Sequence, residues 1–93
     1  MAELVFEIWR STDDNSFELS GVTERGDRLR KSVSPNAVLV HTFVAQSDFD
    51  ASQQNYDWHG WGKWKPDAGW TEHFYTDEEA DEQRRYMVAR DVR

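Results

Sequence analysis

No cysteine occurs in this 93-residue chain, and proline and methionine appear only twice each. Without cysteine, neither a disulfide nor a thiolate-bound metal can hold so small a body together. Basic residues are also scarce: 11 Lys and Arg stand against 18 Asp and Glu, for a formal net charge of -7. That sign argues against a general nucleic-acid binder, whose affinity comes from cations neutralising phosphates. It equally disfavours an anionic membrane surface. No stretch approaches the ~18 apolar residues of a membrane span. Met1 to Arg10 lacks the basic stretch, apolar run and small-residue cleavage site of a secretory signal. Cytoplasmic residence is therefore the expectation.

The signatures of catalysis are missing as well. None of the serines sits in a Gly-x-Ser-x-Gly elbow. Gly60-Trp61-Gly62-Lys63 lacks the spacing of a phosphate-binding loop, and there is no His-Glu-x-x-His. His41, His59 and His73 are not spaced as metal ligands. Asp48 and Asp50 do not face each other on a helix and read as first-turn acids rather than a catalytic pair. No catalytic residue, metal or cofactor is assigned, and an enzyme is the less favoured expectation.

What the chain does have is aromatic side chains: five Trp, five Phe and three Tyr. A buried ring removes ~150–250 Å² from water, so a few can carry much of the stability of a small core. They concentrate between Tyr56 and Trp70, a run that holds four of the five tryptophans and three of the five glycines.

Along the chain, residues 3–10 alternate Leu4, Phe6, Ile8 with Val5, Glu7, Trp9 and read as a strand. Ser11 to Asn15 is a turn by composition, and residues 17–22 form a hairpin partner. Glu24 to Asp27 reads as the next turn, with Gly26 free to take a positive φ. Residues 28–33 alternate weakly, as a short edge strand that Lys31 spoils. Residues 37–45 are apolar on both faces and suggest a covered central strand. Ser47 caps a helix that ends near Gly60. Thr76-Asp77-Glu78-Glu79 is a capping box for a second helix running to about Arg90. The summed expectation is one compact domain over residues 1–93 with a two-layer α+β fold. An antiparallel sheet of three to four strands precedes two helices, in the order β-β-(β)-β-α-α, with an irregular loop at about 59–75.

Two readings compete for that loop. As packing, its Trp58 and Trp70 join Tyr56, Phe49, Phe43 and Phe6 as structural rings. As a binding surface, Trp61 and Trp64 with Lys63, Lys65 and His59 are the residues to meet a partner. Trp58, Trp61 and Trp64 recur every third residue, which places their rings on one side of an extended path. Asp77, Glu78, Glu79, Asp81 and Glu82 form an acidic patch. Three functions follow. The first is a non-enzymatic protein-interaction or accessory module that uses the aromatic loop, with a homodimer as one form of partnership. The second is a ligand-binding protein or enzyme with a pocket roofed by residues 58–70 and lined by His59, His73, Tyr56 and Tyr75. The third is an acidic mimic that binds a basic partner.

Overall fold

The computed structural model describes residues 2–91. Strand β1 (Leu4–Arg10) turns through Ser11–Ser16 into β2 (Phe17–Gly21). Helix α1 (Glu24–Val33) follows, then β3 (Val38–Ala45), α2 (Asp48–His59) and α3 (Asp77–Asp91). The order is thus β-β-α-β-α-α, with three antiparallel strands and three helices. This corrects the expected run of strands followed by two helices.

The correction lies in residues 24–33. Thr23 adopts an extended backbone and its hydroxyl accepts the amide of Gly26 at 2.9 Å, which starts a helix where a turn was expected. Glu24 and Asp27 then sit in the first turn and Arg30 and Lys31 in the last, matching the helix dipole. Glu24 and Arg28 pair at i,i+4. Lys31 breaks a strand alternation because the segment has no strand face. Gly26 serves close approach: a Cβ there would lie 2.5 Å from the Gly21 carbonyl oxygen.

The second correction concerns which strand is central. The sheet order is β2-β1-β3, so β1 is central and the apolar β3 is an edge. Val38, Leu39, Val40 and Val44 remain exposed on it. A bulge interrupts the β1–β3 ladder, since Ile8 opposes His41 but Trp9 opposes Leu39. The outward carbonyl of Val44 accepts the side-chain amide of Gln54 at 2.8 Å.

Helices lie on both faces of the sheet, a further departure from the two-layer expectation. Register places Leu4, Phe6 and Ile8 with Leu19, His41, Phe43 and Ala45 on the face that α2 covers. Ile8 and Ala45 are fully buried there, beside Ala51 of α2 and Tyr75. The opposite face carries Val5, Glu7 and Trp9 and is covered by α1 and α3, so it is not left open as a dimer surface.

That second face is unusually polar. Arg90 of α3 grips Glu7 of β1 through two nitrogens, at 3.0 and 3.2 Å, and its Nε lies 3.2 Å from Asp27 of α1. The Tyr86 hydroxyl donates to Asp27. Hydrogen bonds to Glu7, working against partial desolvation and aided by the charges of Glu7 and Asp27, hold the Arg90 guanidinium more firmly protonated than usual. Gln83 binds α3 to the sheet, accepting the Val5 amide at 2.7 Å and donating to the carbonyls of Val5 and Val22. These partners satisfy Glu7, Gln83 and one oxygen of Asp27, while Asp27 Oδ1 is buried without a partner among the described residues.

Candidate functional site

The expected cap and stop of α2 position the aromatic loop. Ser47 Oγ accepts the Asp50 amide at 3.1 Å, and Asp50 reaches back to the Gln46 amide. At the other end Gly60 takes the left-handed conformation, φ 72°, and gives its amide to the Asp57 carbonyl. The chain therefore reverses at Gly60 and lays residues 61–64 back along α2. Gln53 fixes that return: its side-chain oxygen accepts the Trp64 amide at 3.0 Å and its nitrogen donates to the Gly62 carbonyl at 3.1 Å.

The result is two ring clusters rather than one plug. In the first, Trp61 lies flat on His59, with centroids 3.9 Å apart and planes 8° from parallel. Tyr56 meets Trp61 edge-on at 5.3 Å. Phe17 of β2 closes on His59 at 4.8 Å and on Trp58 at 5.7 Å. Trp58 stacks on His41, His41 on Phe43, Phe43 on Phe6, and Phe6 tilts against Tyr75. His73 completes the chain against Tyr75. The second cluster is Phe49 with Trp64 and Trp70.

Exposure separates the members. Phe6, Phe43, Phe49, Tyr56 and Trp64 are half-buried. Trp58, Trp70 and Phe17 are partly open, and Trp61 is the most open tryptophan at 58%. Lys63 and Lys65 are exposed on the same loop. Trp61 and Trp64 are thus not neighbours in one platform: one joins His59, the other Phe49. Burial among these rings lowers the pKa of His59, which keeps the imidazole neutral for stacking.

The four residues expected to line a pocket beneath residues 58–70 divide between the two ends of this ring chain: Tyr56 and His59 stand at one end, Tyr75 and His73 at the other. The Tyr75 hydroxyl is held by Asp48 at 2.7 Å, and burial, that bond and the Asp48 charge push its pKa far up. Tyr75 is therefore a neutral strut, not a proton shuttle. Among the described residues no three His, Asp or Glu side chains come together as metal ligands.

The acidic patch divides. Glu79 accepts the Thr76 amide at 3.0 Å while Thr76 Oγ1 accepts the Glu79 amide, the reciprocal cap anticipated for this helix. Glu79 also binds His73 at 3.0 Å. Desolvation raises the pKa of Glu79, but the Thr76 amide and His73 together outweigh it and lower the value. Asp81 pairs with Arg84. Asp77, Glu78 and Glu82 face solvent. Glu79 and Glu82 join Glu24 around a recess of about 270 Å³ floored by Leu4, with Gln83 and Tyr86 in its wall.

Sequence reasoning missed Phe17 and Gln53 as parts of this site. Phe17 could be placed only through the hairpin register, and Gln53 only once the chain had been seen to reverse at Gly60. No helix among the described residues is long and apolar enough to cross a membrane. No protein-family model matches this chain, and no curated protein or solved structure matches it.

Proposed function

We propose that the protein is a small non-enzymatic interaction module whose contact surface is the corner formed by Trp61, His59, Trp58 and Phe17. The observation that carries this reading is the flat stack of an exposed Trp61 on a neutral His59, braced edge-on by Tyr56 and Phe17. A tryptophan so held presents a large apolar face with little rotamer freedom left to lose. Rings of that kind dominate the energetics of protein interfaces. Lys63 and Lys65 are exposed on the same loop and give it local positive charge in an acidic body. Trp64 supports the corner indirectly, through the backbone that Gln53 clamps.

The test is Trp61→Ala. Its side chain is mostly exposed, so the variant should keep the wild-type circular dichroism spectrum and unfold within about 1 kcal/mol of wild type. Affinity capture with the two proteins should retain a partner on the wild type alone. Equal capture by both would refute the reading.

The acidic-mimic alternative draws on the convergence of Glu24, Glu79 and Glu82 on one recess. Its binding would weaken steeply with added salt, whereas an interface centred on Trp61 would respond little.

A further inference from the structure

The outer margin of β2 is open, and its hydrogen-bonding groups can be assigned. Val5 accepts the amide of Val22 at 3.2 Å, so Val5, Glu7 and Trp9 turn their backbone groups toward β2. Ser20 and Glu18 answer Glu7 and Trp9 in the ladder. Antiparallel alternation then points the amide and carbonyl of Leu19, and the amide of Gly21, out of the sheet. Among the described residues no strand pairs with that margin.

Beside it stands α1. Between the two runs a groove of about 490 Å³ lined by Leu19, Gly21, Leu29, Arg30 and Val33, with Glu18, Ser20 and Gly26. Leu29 and Val33 are each 65% exposed, two large apolar side chains on the helix wall with nothing over them. Arg30 differs from both. It is only 7% exposed, its guanidinium lies 3.6 Å over the Trp9 ring, and its Nε is buried without a hydrogen-bond partner among the described residues. No ion pair is formed by Arg30 among those residues; Glu18, the one carboxylate of the lining, accepts the Ser34 hydroxyl at 2.6 Å.

We infer that this groove receives an extended peptide segment of a partner protein, which pairs with β2 as a fourth strand and sets a carboxylate against Arg30. Three observations converge on that occupant. An unpaired strand margin is completed by another strand. Alternate side chains of the added strand would pack on Leu29 and Val33 on one side and on Leu19 on the other, matching the apolar walls. A buried guanidinium without a counter-ion is satisfied by an acid. The net charge of -7 limits that acid to one in an otherwise neutral or basic segment. The inference rests on the reading of the protein as an interaction module and gives its partner a chemistry. Phe17, the next outward-facing residue of the margin, touches Trp58 and His59, so a strand laid along β2 leads onto the Trp61 corner.

The probe is a blocked octapeptide, Lys-Thr-Val-Val-Glu-Val-Val-Lys, which sets its Glu between two Val on one face and two further Val on the other, titrated into isotopically labelled protein and followed by NMR. Saturable shifts of the Leu19 and Gly21 amides, with slowed amide exchange, are expected. Replacing the central Glu of the peptide by Gln should weaken binding about tenfold. N-methylation of alternate peptide amides should abolish it, and so should Leu29→Lys, an exposed substitution that leaves the fold intact. Absence of saturable shifts at Leu19 and Gly21, or equal binding of the N-methylated peptide, overturns the inference. The same titration on Trp61→Ala separates the two readings. Peptide failure with capture still lost on Trp61→Ala removes the groove and keeps the corner. Peptide binding with capture unchanged does the reverse.

Discussion

Replacing Arg90 by methionine removes the cation shared by Glu7 and Asp27 while keeping most of the apolar stem. In the wild type the Arg90 side chain is 20% exposed, that of Glu7 8% and that of Asp27 4%. Without Arg90, two carboxylates from two elements are left in that space with no counter-ion among the described residues. Breaking a buried pair by removing one partner costs about 3–5 kcal/mol, and the residual exposure of Arg90 places this case near about 3 kcal/mol. Domains of this size have about 5–15 kcal/mol in total. The midpoint of thermal unfolding should fall by about 12–24 °C, at about 4–8 °C per kcal/mol. Urea denaturation followed by tryptophan fluorescence gives the free energy directly, with an unchanged m-value showing that the same surface is exposed on unfolding. Arg84→Met is the control. Its partner Asp81 lies on the exposed side of α3, so the change should stay within about 0.5 kcal/mol. A loss below about 1 kcal/mol for Arg90→Met would refute the argument. It would mean that Gln83 and apolar packing alone anchor α3.

Other consequences can be checked as simply. Gly26→Ala should destabilise the protein although alanine is the better helix former by about 1 kcal/mol, because its Cβ would sit 2.5 Å from the Gly21 carbonyl oxygen; calorimetry showing stabilisation would contradict that close approach. Gln53→Ala should cost about 1–2 kcal/mol and free the Trp64 amide to exchange rapidly, while the amides of β1 stay protected. His59 has a folded pKa below its ordinary value of 6.5, so the unfolded chain takes up the proton first. Stability should therefore be unaffected by this group above about pH 6.5 and fall as the pH drops below it, until the folded value is passed. His59→Phe should flatten that part of the profile.

The parts of the fold that rest on local chemistry were readable from residues alone. Ser47, Gly60 and the Thr76–Glu79 box set helix ends through bonds within four residues, and each stands where composition placed it. The β1–β2 hairpin was legible for the same reason. Helix α1 was not, because two signals competed. Residues 28–33 alternate like a strand, while the Thr23 cap sits upstream in what reads as a turn, and Gly26 reads as a turn residue until its approach to Gly21 is known. The position of β3 was hidden for a different reason. Apolar side chains on both faces usually mean a central strand, but here four of the six in β3 are left exposed at an edge. For the candidate site, the concentration of rings between Tyr56 and Trp70 was legible from composition. The stacking of Trp61 on His59 depends on the reversal at Gly60, while the contact of Phe17 with His59 and the separation of Trp64 into a second cluster depend on packing between elements.

The two margins of the sheet are finished differently, and this bears on stoichiometry. At β3 the ladder is broken by a bulge, and Gln54 occupies the Val44 carbonyl. Residues 73–75 also run beside the exit of β3, with Tyr75 donating its amide to the Gln46 carbonyl. At β2 no strand among the described residues pairs with the margin. A copy's strand laid on β3 would meet the bulge and an occupied carbonyl, so head-to-tail stacking of copies is disfavoured at that margin. Under the strand-addition proposal such a molecule would receive one segment at β2 rather than stack with its own copies. Its complexes would be finite, one segment to one chain, even at concentrations where symmetric open-edged sheets form fibres.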